Sequence, residues 1–468
     1  MSANIQSNAL KGWTSSPDGR GTLNILWACV ATIFLSTWSA ICLNVPKPSD
    51  TIWTNLKRKF GITLLSILGP EFLLCYALSE RQSAGASVAC FKQLRQDDKW
   101  TLKHAFFADM GGFILQTSDD VSFFLDTKQI LWLLKHHVIS TTQFETSFLL
   151  DSKTINDRNK SDLSVRVIAI SQALWFCVNV AARGIQGLAV TTLEINTIGI
   201  VVDSILVYYF WKNKPADVES TEVVKINITL SEMILLEEDE AARTRPYFRT
   251  PLDFAAREPW HFGLLYFYLA NIFKSIRPHS WRRKKKESLG RRSDFDLFPV
   301  SGVFVVIGYL AGLAFLGTNF IAWNFHFPTP IERLLWRISS GGLFGLVILA
   351  GPGAELVYSS HRVRTMQENT RKHRKTLEDT GPPGEKAGWK DYLVYKFRIL
   401  AMKVRNNSPE NDPNLDVSLH FASLGMQIVM VYVVFRAYIL VEDVIAFRAL
   451  PVEAYSTVDW WKFVPHIG

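Results

Sequence analysis

Cysteine is scarce: the 468-residue chain has five, Cys29, Cys42, Cys75, Cys90 and Cys177. Their spacing fits neither a disulfide framework nor a zinc site. The chain also lacks a Walker loop, a Gly-x-Ser-x-Gly elbow, a His-Glu-x-x-His zinc helix and a dinucleotide fingerprint. His136-His137 stands alone, without the further histidine boxes of a membrane di-iron oxidase. Asp119-Asp120 has no carboxylate three residues on, so it reads as an exposed acidic loop rather than a magnesium-diphosphate site. No cofactor and no metal is implied.

The most informative absence is that of charge from long stretches. Lys and Arg number 51 against 43 Asp and Glu, a net charge of +8. That average mixes runs of about twenty residues almost free of charge with connections crowded with Lys and Arg. Such a pattern excludes a soluble globular protein, a disordered chain and a small disulfide scaffold. It specifies a polytopic membrane protein, because a hydrocarbon core about 30 Å thick needs about 20 apolar residues at 1.5 Å rise each.

Seven segments meet or approach that length, predicting an all-α transmembrane bundle. Thr22 to Leu43 and Pro299 to Trp323 carry no charged side chain. Gly61 to Ser79 contains only Glu71, and Ile338 to Tyr358 only Glu355. Val167 to Ala182 stops at Arg183, Thr192 to Trp211 carries Glu194 and Asp203, and Val417 to Phe435 stops at Arg436 and holds His420. Ala105 to Leu115 and Trp260 to Phe273 are too short to span and read as interfacial or re-entrant helices, with a buried loop helix as the alternative for either. Trp13, Trp53, Tyr208, Tyr209, Trp211, Trp323 and Trp336 sit near segment ends, where amphipathic rings suit the headgroup region. The first run starts late and lacks a basic start and a small-residue exit, so a signal anchor is expected rather than a cleaved leader.

These runs divide the chain into an amino-terminal segment (1–21), a first membrane half (22–211), a polar loop (212–298), a second half (299–440) with its own loop (361–416), and a tail (441–468). Basic residues from Arg277 to Arg292 and from Arg362 to Lys375 place the two large loops in the cytoplasm. With seven spans, the amino end is then cytoplasmic and the carboxyl end lumenal or extracellular. Lys57, Arg58 and Lys59 fall on the wrong side of that scheme. The sequons at Asn159, Asn227 and Asn406 lie in the expected cytoplasmic loops and should stay unglycosylated. Arg282, Arg283, Lys284, Lys285 and Lys286 form a candidate site for anionic lipid headgroups, although positive-inside anchoring alone accounts for them. Nothing indicates nucleic-acid binding.

A possible duplication relates the halves. Pro46 to Pro70 and Pro328 to Pro352 are both intervals of 24 residues, and at the same offset Gly69-Pro70 meets Gly351-Pro352 and Tyr76 meets Tyr358. Both copies would run in the same direction, a parallel internal repeat. Each copy places a proline inside the second helix of its pair, which predicts a kink, with a carboxylate beside it.

Glu71 and Glu355 are therefore the first candidate catalytic or proton-carrying groups. An acid in the apolar layer is costly to ionise, so it faces a partner or a cavity and can hold and donate a proton. The alternative is a neutral acid bonded to carbonyls freed by the proline. Arg183 and Arg436, at span ends, are expected to snorkel, with pairing to Glu194, Glu442 or Asp443 as the alternative. His104 and Asp109 bracket a short apolar stretch ending in Gly111-Gly112 and are further candidates, although on a straight helix they do not share a face.

Several stretches resemble a family of uncharacterised polytopic membrane proteins of filamentous ascomycete fungi. They are Gly12-Trp13, Pro17-Asp18-Gly19-Arg20-Gly21-Thr22, Leu43-Asn44-Val45-Pro46, His104 to Phe113, Gln172-Ala173-Leu174-Trp175-Phe176, Trp323 to Pro328, Leu440-Val441-Glu442-Asp443 and Pro465-His466. The resemblance implies a fungal membrane protein, some of whose relatives lie among secondary-metabolite genes, and it assigns no catalytic residue. Three functions remain open. The first is an enzyme or accessory factor acting on a lipophilic secondary metabolite by intramembrane acid/base chemistry. The second is a proton-coupled transporter, and the third a membrane sensor or structural protein. The membrane is expected to be the endoplasmic reticulum or the plasma membrane.

Overall fold

The computed structural model describes residues 10–15, 19–47, 50–151, 154–155, 163–218, 220–243, 249–256, 294, 298, 300–358, 388–405 and 419–463. The fold is mostly helical, and among the described residues five helices are long and apolar enough to cross a membrane. They are α1 (Thr22–Ala40), α7 (Leu163–Ile185), α8 (Thr192–Trp211), α10 (Val303–Thr318, continued by a 3-10 turn to Asn324) and α13 (Leu419–Ile445). A sixth long helix, α11, runs from Pro330 to Tyr358.

The apolar faces that remain exposed follow helical spacing. Leu23, Trp27, Val30 and Phe34 on α1 and Ile428, Val431, Val434 and Val441 on α13 lie open, as the outer surface of a membrane bundle requires. α8 is the central helix, with 67% of its apolar window buried against 17–39% for the other four. It packs against α1, α7, α10, α13 and the helix that follows Gly69.

Contacts at the helix ends fix their directions. α1 and α8 run parallel: Arg20 pairs with Glu194 at one face of the bundle, and Lys214 donates to Asn44 at the other, 3.4 Å. α7 runs the opposite way, with Arg166 against Cys42 at the second face and Arg183 at the first. α10 begins with Phe304 beside Phe210, and the segment after it brings His326 to Ala449. α11 starts where Glu332 meets Arg448, so α11 and α13 are antiparallel. The segments flanking the bundle meet on the first face, where β1 (Leu10–Lys11) pairs antiparallel with β5 (Leu450–Pro451). Residues 10–11 and 450–451 thus lie together on one face, where the sequence reading expected the amino-terminal segment and the tail on opposite sides.

The expected second span also differs. It is two helices, α2 (Ile52–Leu68) and α3 (Pro70–Arg95), bent by 115° at Gly69. α2 starts at the second face, where Arg58 Nε donates to Asp294 (2.8 Å) and Lys59 to Asp217 (3.2 Å). α3 returns there, with Lys214 held on Glu80 at 2.7 Å. The far ends of both helices therefore lie at the second face, and the pair forms a hairpin. The basic residues at 57–59 sit on the same face as residues 217 and 294, which removes the conflict they posed. At Gly351-Pro352, by contrast, α11 continues without a break, so the two Gly-Pro steps are not structural equivalents.

Beyond the second face, α3 extends into a compact unit that an all-α reading misses. It holds α4 (Leu102–Asp109), β2 (Phe113–Gln116), β3 (Ser122–Leu125), α5 (Thr127–Lys135), α6 (Thr141–Ser147), β4 (Glu222–Lys225) and α9 (Leu230–Leu235). The sheet order is β3-β2-β4, with β2 antiparallel to β3 and parallel to β4. Phe91, Trp100, Phe113, Phe144 and Phe148 fill its core. The segment from Ala105 to Leu115 is thus a buried helix and strand, not an interfacial helix. Trp260 to Phe273 lies outside the described residues. The first part of the polar loop at 212–298 supplies β4 to this sheet, with Val224 on the buried face and Val223 on the open one.

Candidate functional site

The break at Gly69 creates the site. Pro70 has no N–H and a fixed φ, so it starts a helix well and cannot continue one. A Cβ at Gly69 would lie 2.5 Å from the Phe72 ring and 3.0 Å from the Tyr432 hydroxyl, so this close approach requires glycine. Ending α2 inside the bundle leaves its last carbonyls to other donors. Arg436 supplies them: its Nε donates to Leu68 O at 3.0 Å and Nη2 to Ile67 O at 3.3 Å. A cation thus sits at a helix carboxyl end, and Glu71, in the first turn of α3, places an anionic group at a helix amino end, both favourable to the helix dipoles.

The network extends from there. The Tyr432 hydroxyl donates to Glu71 Oε1 and lies 3.3 Å from Leu68 O. Arg436 Nη1 donates to Asn196 Oδ1 at 3.1 Å, and Asn196 Nδ2 donates to Asp443 Oδ2 at 2.6 Å. The Arg436 guanidinium also stacks over Phe315 at 5.0 Å. Asp203, seven residues beyond Asn196 and so on the same face of α8, is buried and close enough to act electrostatically on Glu71. Glu71 Oε2, Asp203 Oδ2 and Asp443 Oδ1 have no hydrogen-bond partner among the described residues.

One guanidinium therefore faces three buried carboxyl groups, those of Glu71, Asp203 and Asp443. The cluster is neutral only when two of the three carry protons, and uncompensated charge in an apolar interior is costly. Arg436 is 1% exposed, so it does not snorkel. Tyr432 and Asp443, joined to it through Leu68 and Asn196, lie on its own helix at spacings of four and seven, a periodicity visible in the sequence beside Asn196 and Asp203 on α8.

Arg183, 3% exposed, does not snorkel either. It donates to the carbonyls of Ser456 (2.7 Å), Ala189 (2.9 Å), Glu453 and Ala454 (both 3.0 Å), tying α7 to the segment after α13. Glu194 caps α8, accepting from Thr191 N at 2.9 Å, while it pairs with Arg20.

The other candidates do not join the cluster. His104 belongs to the extramembrane unit, where Nδ1 accepts from Thr101 N at 3.2 Å and Nε2 donates to Leu150 O at 2.8 Å. Burial lowers its pKa, and these bonds suit the neutral ring. Asp109 Oδ1 accepts from Thr127 N (3.1 Å) and Oγ1 (2.7 Å) at the first residue of α5, and its Oδ2 accepts from Ser83 at 3.2 Å on α3. The two residues hold separate helix ends and form no common site. The Glu355 side chain and Arg282, Arg283, Lys284, Lys285 and Lys286 lie outside the described residues. Asp119 accepts from Thr117 and from Leu230 N, as a turn residue does, and these bonds hold its carboxyl below the usual range. Among the described residues no group of three or more His, Cys, Asp or Glu is placed to hold a metal.

Among curated proteins and among solved structures, nothing matches the chain. A family model does match, over residues 1–238, which span α1, the α2–α3 hairpin, α7, α8 and the sheet. The chain belongs to that family, described as a family of unknown function (DUF8562).

Proposed function

We propose that the protein is a multi-pass membrane carrier that couples proton binding to movement of a small molecule. The observation that carries this reading is the helix break at Gly69-Pro70, which aims two half-helix ends at a cluster of one cation and three carboxyl groups drawn from α3, α8 and α13. Discontinuous helices with their ends at a buried ionic site are a recurrent device of transporters. Protonation of Glu71 changes both the charge balance and the bonds that hold the hairpin tip, so it links a proton to helix position. Six crossings and one re-entrant hairpin are proposed in place of seven spans. The basic loops then place both chain ends on the lumenal or extracellular side.

A second reading is an intramembrane acid/base enzyme or accessory factor for a lipophilic metabolite. The free Glu71 Oε2 supports it, since one carboxyl oxygen remains to meet a substrate. The fungal resemblance would place either activity in secondary metabolism, and the basic cluster at Arg282 to Lys286 would anchor the loop to anionic lipid.

The test is a strain lacking the gene, complemented with wild type or with Glu71→Gln, with cells and medium profiled separately. Product that is made but retained in cells supports the carrier. Accumulated precursor without product supports the enzyme. Full wild-type behaviour of the Glu71→Gln strain would sink both assignments of that residue.

A further inference from the structure

At the first face, away from the Glu71 cluster, α1, α7, the start of α8 and the segment after α13 enclose a cavity of about 580 Å³. That volume lies within the range of small-molecule sites, about 300–1,000 Å³. Its chemistry is graded along its length. Arg20, Arg183 and Glu194 line one end, and Ala28, Phe176 and Trp175 line the part that descends between α1 and α7. From Arg183 to Gln172 is eleven residues of helix, a run of about 16 Å at 1.5 Å per residue.

Two features mark the charged end as a site for an anion. Two guanidinium groups stand there with one carboxylate, and that carboxylate is taken by Arg20. Among the described residues Arg183 donates to carbonyls only and forms no ion pair, so its charge is not matched by a carboxylate. Farther down, Gln172 and Asn179 bring amides to helices that are otherwise apolar, and Trp175 stacks on Trp460 with ring centroids 5.2 Å apart.

We propose that this cavity binds a single-chain amphiphile with an anionic head, the head at Arg20 and Arg183 and the chain along Ala28, Phe176 and Trp175. The apolar wall opens on the exposed face of α1, where Ala28 and Asn24 lie, so the ligand enters sideways from the bilayer. A carboxylate and a lysophospholipid phosphate share this chemistry.

The test uses the full chain purified in a neutral maltoside, with cis-parinaric acid as the fluorescent probe and excess empty micelles as the partition control. Saturable binding is expected, displaced by palmitate or by lysophosphatidate at least tenfold better than by methyl palmitate. Displacement by lysophosphatidate alone assigns the phosphate source, and displacement by palmitate assigns the carboxylate. Ala28→Trp, which fills the cavity from an exposed position, should weaken binding at least tenfold with the melting temperature preserved, and Arg20→Gln should abolish the preference for an acid over its ester. Glu71→Gln should leave binding unchanged, which separates this site from the proton cluster. Equal displacement by acid and ester, or undiminished affinity in Ala28→Trp, would overturn the proposal.

Discussion

The Tyr432 hydroxyl stands between Glu71 Oε1 and the Leu68 carbonyl, and it has one proton for two acceptors. With Glu71 ionised, the hydroxyl donates to the carboxylate and Leu68 O keeps only Arg436 Nε. With Glu71 protonated, the acid donates to Tyr432, which is then free to donate to Leu68 O. On the proposed carrier reading, a proton on Glu71 would tighten the end of α2 by one hydrogen bond and so couple protonation to the hairpin tip.

Tyr432→Phe removes that relay while leaving the ring on Phe72. A loss of about 0.5–1.5 kcal/mol is expected, together with loss of proton coupling. Denaturant titration in micelles reads the first. Acidification of pyranine-loaded liposomes under an imposed gradient reads the second, and wild-type flux in the variant would refute the relay.

Arg436→Met leaves Glu71, Asp203 and Asp443 without a cation. Breaking a buried ionic arrangement in this way costs about 3–5 kcal/mol, so little folded protein is expected. Adding Asp443→Asn to the same chain should recover part of the yield, since it removes one of the charges left behind. Size-exclusion recovery after solubilisation measures both.

Gly69→Ala drives a methyl group into the Phe72 ring, 2.5 Å from the nearest carbon. Crowding of this kind costs about 1–3 kcal/mol. The double variant with Phe72→Ala should regain expression, because the obstructing atoms belong to that side chain. Failure of the double variant would point to the backbone instead.

The hairpin makes a topological prediction. In a cysteine-free background, Thr51→Cys and Asp98→Cys should react with an impermeant maleimide from one side of sealed vesicles. Thr457→Cys should react only from the other side. Labelling of residues 51 and 98 from opposite sides would show that the segment between them crosses the membrane.

His104 gives the extramembrane unit a pH dependence. Its folded pKa lies below the ordinary value of about 6.5, so the unfolded chain binds the extra proton. Its contribution to stability is therefore complete above that value and is lost as pH falls below it. The melting temperature should drop between pH 7 and pH 5, and His104→Gln should flatten that part of the profile.

The positions of the long apolar helices and of the central acid are properties of local composition. The charge-free run beginning at Thr22, the Thr192 to Trp211 span and Glu71 beside Gly69-Pro70 could be read directly, because an apolar run about 20 residues long and a proline act within their own turn of helix. Direction and partnership were settled by packing. Whether Pro70 kinks a span or turns it back depends on what receives the freed carbonyls of Ile67 and Leu68, and that donor, Arg436, is more than 360 residues away. The burial of Arg183 depends in the same way on carbonyls beyond residue 450. The sheet needed β4 to reach β2 across α7 and α8, a pairing whose partners are set by register and not by the four residues of either strand. Local free energies chose the elements, and only long-range complementarity decided which charged groups left water together.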